Sequence, residues 1–177
     1  MNQPILLIYH SKTGFTQQYA KWLSEELPCE LLPFQNRETA NLEGYSAIIF
    51  AGGFHAGKIS GISWLKAKLP NLSGKTICVL ATGATPADAP GVQEALDNNF
   101  TPKERKQLRP FYVQSGLCYE KMSRTDKLMM AVFRAMVKKT EGPDSEMYKM
   151  ICHSYDLSSK EALQPLVEWM KYAIKSC

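Results

Sequence analysis

The sequence predicts an open α/β fold, a doubly wound parallel sheet with helices on both faces. Three observations carry this reading. Short, continuous apolar runs recur along the chain, and such runs fit strands buried on both faces. Stretches with helical spacing alternate with them. Three of the apolar runs end in loops rich in glycine or hydroxyl side chains.

The elements follow in order. Ile5 to Tyr9 is the first apolar run. Gly14 and Thr16 lead into TQQYAKWLSEELP, where Tyr19, Ala20, Leu23 and Leu27 share one face and Pro28 stops the helix. CELLPF is a second, weaker strand, and SAIIFAGG, Ser46 to Gly53, is a third that ends in glycines. Ile62, Leu65 and Leu69 repeat helically up to Pro70. KTICVLATG, Lys75 to Gly83, is a fourth strand, and Gly91 to Phe100 reads as helix. Thr101 with Glu104 resembles a capping box for a short helix, before PFYVQSG, Pro110 to Gly116, the fifth strand. Right-handed crossovers then wind the order β-α-β-β-α-β-α-β-α into helices on both sides of the sheet.

Beyond Gly116 the chain reads LCYEKMSRTDKLMMAVFRAMVKKTEGPDSEMYKM. Ser123 and Asp126 form a capping box. Met129, Val132, Phe133, Met136 and Val137 make an apolar face, with Lys127, Arg134, Lys138 and Lys139 opposite it or at the C-terminal end. Such a face either packs on the sheet, its methionines filling gaps, or docks a quinone, a membrane surface or a protein partner. Amphipathic helices of soluble domains usually face a core, so packing on the sheet is expected. A final helix is predicted from about Ser159 to Ser176, with Ser158 and Glu161 as its capping box and Leu163, Leu166, Val167, Met170 and Ile174 as its buried face. Pro165 either kinks it or marks its true start.

Composition narrows the class of protein. The 177 residues suit one domain with a single core. Hydrophobic residues at 45% and charged residues at 21% are ordinary for a soluble globular protein. No apolar run approaches the ~20 residues of a membrane span. The opening MNQPILLIYH lacks a basic n-region and a small-residue cleavage site, so a cytoplasmic location is expected. Cys29, Cys78, Cys118, Cys152 and Cys177 are odd in number and lack CxxC spacing. That pattern argues for reduced thiols over a zinc or thioredoxin-like site. The net charge of +4 favours an anionic ligand, an acidic partner or an anionic membrane surface. No basic stripe is interleaved with aromatics, which argues against nucleic-acid binding.

In an open parallel sheet, ligands bind beyond the C-terminal ends of the strands. The loops Ser11 to Thr16, Gly52 to Lys58 and Thr82 to Pro90 should therefore meet at one sheet edge. The first has the chemistry of a phosphate cradle. Ser11, Thr13 and Thr16 offer hydroxyls, Gly14 permits a tight turn, and the following helix presents its positive end. Neither GxxxxGK[ST] nor GxGxxG is present, so a phosphate monoester held mainly by neutral donors fits better than a nucleoside triphosphate or a dinucleotide. A Ser/Thr/Gly turn can also be a plain helix cap. Its place after the first buried strand, beside two more glycine-bearing loops, favours the ligand.

These residues carry a family resemblance. SKTGFT resembles the S/T-x-T-G-x-T phosphate loop of flavodoxins, which holds the FMN phosphate. IIFAGGFHAGKI resembles the second flavin loop of flavodoxin-domain proteins, and VLATGATPADAP stands where the third should be. GLCYEKMSRTDKLMMAVFRAM resembles the matching region of the flavodoxin-domain family that contains menaquinone-dependent protoporphyrinogen IX oxidase. The resemblance covers nearly the whole chain. It implies a flavodoxin-like doubly wound five-stranded parallel sheet with strand order 2-1-3-4-5, forming one domain over residues 1–177.

The implied cofactor is FMN. By this resemblance Ser11, Lys12, Thr13, Gly14, Phe15 and Thr16 bind its phosphate. Gly53, Phe54, His55, Ala56 and Gly57 border the isoalloxazine on one side, and Thr82, Gly83, Ala84 and Thr85 border it on the other. The third loop has no Tyr or Trp, which leaves Phe54 or His55 to stack on the ring. His55 reads as a surface loop histidine before a proton donor. No catalytic side chain is named, because the flavin carries the chemistry itself. Trp22, Trp64 and Trp169 lie on helices and read as packing residues. The implied function is an FMN-dependent redox protein of the protoporphyrinogen-oxidase-like type that passes electrons to a quinone. The alternative is a flavodoxin-like electron carrier. The implied partners are a quinone, a porphyrin or a redox protein, with peripheral membrane contact. Lys12, Lys58 and Asp88 are the only charges around the three loops. With so few carboxylates, the resemblance implies a flavin potential raised above that of acidic flavodoxins.

Overall fold

The computed structural model describes residues 4–175. Its strands are β1 (Ile5–His10), β2 (Cys29–Pro33), β3 (Ala47–His55), β4 (Lys58–Ile59), β5 (Thr76–Gly83), β6 (Leu108–Gln114), β7 (Gly116–Leu117) and β8 (Tyr155–Asp156). Its α-helices are α1 (Phe15–Glu26), α2 (Ile62–Lys68), α3 (Val92–Asp97), α4 (Pro102–Arg105), α5 (Arg124–Glu141), α6 (Glu146–Ile151) and α7 (Gln164–Lys175). The main sheet runs β2-β1-β3-β5-β6 with every neighbour parallel, and β4 folds back on β3. This is the flavodoxin order expected from the sequence, with β5 and β6 as the fourth and fifth parallel strands.

Alternation along the strands splits the core in two. Ile5, Leu7, Ile49, Cys78 and Leu80 pack under α1 and α7, where Tyr19, Leu23, Leu166 and Met170 meet them. Leu6, Ile8, Ile48, Phe50, Ile77 and Val79 face the other way, against Leu65 of α2 and Leu96 of α3. The Tyr19 hydroxyl donates to the Gln114 carbonyl and accepts from the Ser159 N–H at 3.1 Å. It thereby ties α1 to the edge strand and to the approach of α7. The edge position also suits Pro110, since prolines within sheets are confined largely to edge strands, where one side makes no ladder bonds.

Several boundaries shift. The third strand runs on to His55 because β4 pairs with its end. The fifth begins at Leu108, and Gly116 leaves it to form β7, paired antiparallel with β8. The Thr101–Glu104 capping box forms as expected. The capping box expected at Ser158 and Glu161 does not. Ser159 Oγ donates to Glu161 instead, residues Glu161–Leu163 make a 3-10 turn, and α7 begins at Gln164. Pro165 thus sits in the first turn, where its missing N–H is not needed. The expected end at Ser176 lies outside the described residues.

The largest departure is α5. Ser123 caps it, accepting from the Asp126 N–H at 3.1 Å and donating to the Asp126 carboxylate at 2.7 Å. Its apolar face, however, does not pack on the sheet. Val137 is buried, but Met129, Val132, Phe133 and Met136 are exposed, and so is Leu128 at 66%. The reason is that α1, α7, α2 and α3 already cover both sheet faces. The helix leans instead on α6 and the β7–β8 pair, where Met130 and Val137 meet Leu117, Tyr119, Tyr148, Ile151 and Tyr155. Among the described residues no helix is long and apolar enough to cross a membrane.

Candidate functional site

A cavity of about 440 Å³ opens at the C-terminal ends of β1, β3 and β5. The three loops singled out in the sequence meet there. Lys12, Thr13, Phe15 and Thr16 line it from the first loop; Gly53, Phe54, His55 and Ala56 from the second; Thr82, Gly83, Ala84 and Thr85 from the third. Ser11, Gly14 and Gly57 are not among the residues that line it.

The first loop is built around Gly14. Its φ of +102° is a left-handed conformation that a side chain would strain. The Gly14 N–H donates to Ser11 Oγ at 3.1 Å, which closes the turn, yet no side chain caps α1. The N–H groups of the first turn of α1 are therefore left without a side-chain acceptor, at the positive end of a twelve-residue helix. The Thr16 hydroxyl, expected to face a phosphate, lies 2.7 Å from the Thr82 hydroxyl with both residues buried, and so joins the first loop to the third.

The second loop is a tight hairpin turn. Ala56 at φ 47° and Gly57 at φ 75° connect the His55–Lys58 pair, the left-handed pair of a type I′ turn. Buried Asn99 holds it from below. Its Oδ1 accepts from the Ile59 N–H at 3.1 Å, and its Nδ2 donates to the Gly57 and Ala95 carbonyls, each at 2.8 Å. In the third loop, Gly83 is required by close approach, since a Cβ there would meet the Tyr112 hydroxyl at 2.6 Å. That hydroxyl donates to the Thr85 carbonyl at 2.7 Å. The Tyr112 ring stands edge-on to Phe54, with centroids 5.5 Å apart.

The opposite wall is the part that sequence reasoning missed. It is made by Ser115 to Cys118, Met122, Asp126, Met129, Met130, Phe133, Met147, Met150, Ile151 and Tyr155. The signal available was the methionine stripe of α5, read as core. Asp126 adds a carboxylate to the three charges counted around the loops. Its Ser123 hydrogen bond holds its pKa low, and Lys12 and His55 act in the same direction. His55 is itself held below its ordinary value, first by the protein around it and then by the Lys12 cation, with Asp126 opposing. Lys121 adds a further cation, because a Cβ on Gly14 would lie 3.4 Å from its Nζ. Trp22, Trp64 and Trp169 pack on Tyr19, Phe34 and Phe111 respectively, away from the cavity.

A parallel sheet with an uncapped helix N-terminus at its first β–α turn and a cavity at the strand ends defines a protein of the doubly wound class, the class in which ligands bind at that edge. The flavodoxin domain model matches residues 6–145, and the chain belongs to the flavodoxin domain family. No curated protein matches it. Among solved structures it is similar to a candidate flavoprotein from Bacteroides eggerthii, at 14% identity and a TM-score of 0.45 over 79% of this chain and 99% of that one. It is also similar to Fusobacterium nucleatum flavodoxin bound to flavin mononucleotide, at 15% identity and a TM-score of 0.40 over 69% of this chain and 75% of that one. A variant of that flavodoxin, likewise bound to flavin mononucleotide, gives 14% identity and a TM-score of 0.42 over 63% and 69%.

Proposed function

We propose that this chain is one flavodoxin-like domain that binds FMN in the cavity and works as a redox protein. The observation that carries the reading is the uncapped N-terminus of α1, set behind Gly14 in a loop of flavodoxin phosphate-loop pattern and facing a cavity with an apolar far wall. The donor set fits the group. Backbone N–H groups of the first turn, with the Ser11 and Thr13 hydroxyls and the Lys12 cation, suit a phosphate dianion. Gly53 to Ala56 and Thr82 to Thr85 offer two backbone-rich edges to a flat ring, and Phe54 offers an aromatic one. The volume lies within the ~300–1,000 Å³ usual for small-ligand pockets.

FMN, when bound, supplies one- or two-electron transfer. The chain's part is to hold the phosphate, orient the ring and shield it. His55, with its lowered pKa, stands neutral at neutral pH beside the cavity and is a hydrogen-bonding group there before it is a proton donor. For the electron acceptor we favour a quinone, with a porphyrin as donor. The support is the apolar wall of Met129, Met130, Phe133, Met147 and Met150, which suits a flat, weakly polar reactant.

The test is a titration of apo-protein with FMN and with riboflavin, followed by flavin fluorescence. FMN should be quenched and bound at least tenfold more tightly than riboflavin. Failure to bind FMN would overturn the reading. Steady-state oxidation of protoporphyrinogen with a menaquinone analogue then tests the finer assignment. A protein that binds FMN but shows no turnover is the electron carrier.

A further inference from the structure

The exposed side of α5 carries Leu128, Met129, Val132, Phe133 and Met136, spaced i, i+1, i+4, i+5 and i+8, which is one continuous helical stripe. Met147 of α6 is exposed beside it, and Met129, Phe133 and Met147 also line the cavity. The stripe is thus continuous with the mouth of the site. Contiguous exposed apolar surface of this kind marks an interaction face.

Cations stand near both ends of the stripe, Lys139 on its own side and Arg124 at its flank beyond Leu128. Arg124 precedes Leu128 by one helical turn, about 40° around the axis, and Lys139 follows Val132 by two turns, about 20° around it. Over α5, the five basic residues Arg124, Lys127, Arg134, Lys138 and Lys139 face only the acids Asp126 and Glu141. Asp126 is engaged by Ser123 and faces the cavity.

We propose that this face docks on an anionic lipid bilayer. The helix α5 lies in the headgroup plane, the stripe enters the acyl boundary, and Arg124 and Lys139 reach anionic headgroups at its two ends. The cavity then opens toward the lipid surface. The charge pattern disfavours a second copy of the chain, because pairing two α5 helices antiparallel sets Arg124 and Lys127 against Lys138 and Lys139. A specific protein partner is disfavoured for another reason. Protein interfaces carry about one hydrogen bond per 100–200 Å², and beside its five apolar residues this side of the helix offers only Thr125, Thr140 and Lys139, with the Thr140 hydroxyl already donated to the Met136 and Val137 carbonyls and Asp126 turned to the cavity. The inference is independent of the cofactor.

The experiment is co-sedimentation of the full chain with vesicles of phosphatidylglycerol and phosphatidylcholine in equal parts, against vesicles of phosphatidylcholine alone. The wild type should pellet with the anionic vesicles, release with added salt, and stay in solution with the neutral ones. The double variant Leu128→Gln with Val132→Gln alters exposed positions outside the cavity lining and should lose at least tenfold in binding, with an unchanged circular dichroism spectrum. Arg124→Gln with Lys139→Gln should weaken binding about fivefold per cation removed. The proposal is overturned if the wild type ignores anionic vesicles, if the variants bind as it does, or if the wild type is a dimer that Leu128→Gln with Val132→Gln converts to monomer.

Discussion

The Thr16 and Thr82 hydroxyls form a buried hydrogen bond of 2.7 Å between residues 66 apart in sequence, and both line the candidate site. It is the direct bond between the first loop and the third. Replacing Thr82 by Val keeps the shape and leaves the Thr16 hydroxyl buried without its partner, which costs about 1–3 kcal/mol. Adding Thr16→Val should cost less than the sum of the two single changes, because the second removes an already orphaned group. Urea denaturation of the three variants measures the coupling; strict additivity would refute it.

Asn99 should matter more than its distance from the cavity implies. Truncation to Ala removes all three of its hydrogen bonds and strands the Ile59 N–H and the Gly57 carbonyl. The expected loss is about 3 kcal/mol in chemical denaturation. Hydrogen exchange should quicken at the β3–β4 turn first, since that turn also holds Ala56 in a strained left-handed conformation.

His10 should make stability depend on pH. Its ring stacks on Phe34 at 4.5 Å, and its Nδ1 is buried with no hydrogen-bond partner. Burial, more than any other cause, holds its pKa below 6.5, with Lys12 and Arg37 adding to the effect and the Ser60 carbonyl opposing it. The unfolded chain therefore takes up a proton before the folded one does. This contribution is fully present above 6.5, declines as pH falls through 6.5, and levels off below the folded-state value. His10→Phe keeps the stack without the proton, so its urea midpoint should fall less steeply on acidification. Parallel curves for the two proteins would show that His10 plays no such part.

Lys121 sits where its ammonium group lies over Gly14 of the first loop. If the loop holds a phosphate, Lys121→Met should weaken FMN about tenfold, and raised salt should narrow the gap to wild type. Riboflavin, which lacks the phosphate, should bind both proteins alike. An equal loss for both flavins would place Lys121 in packing instead.

Much of this was legible in the chain. Runs such as Ile5 to Tyr9 and Lys75 to Gly83 announce buried strands because a parallel strand needs apolar side chains on both faces. The three loops were legible because each follows such a run, and strand ends in an open sheet share an edge. The turn at Gly14 was readable from local chemistry. The β7–β8 pair and α6 were not, since two-residue strands and a six-residue helix carry too little periodicity to register.

By itself, then, the sequence determined the parallel strands, the two-sided core and the loops that meet at the cavity, which follow from local periodicity and the rules of parallel sheets, while the strand order came from the family resemblance of its loops. Only the tertiary structure decided what α5 does. Periodicity shows that Leu128, Val132 and Phe133 share a face, but whether that face finds a partner depends on the surface left uncovered. Here α1, α2, α3 and α7 had taken both sides of the sheet. The same placement turned Asp126 into the cavity and set Lys121 over Gly14, contacts between segments more than a hundred residues apart that no local pattern encodes.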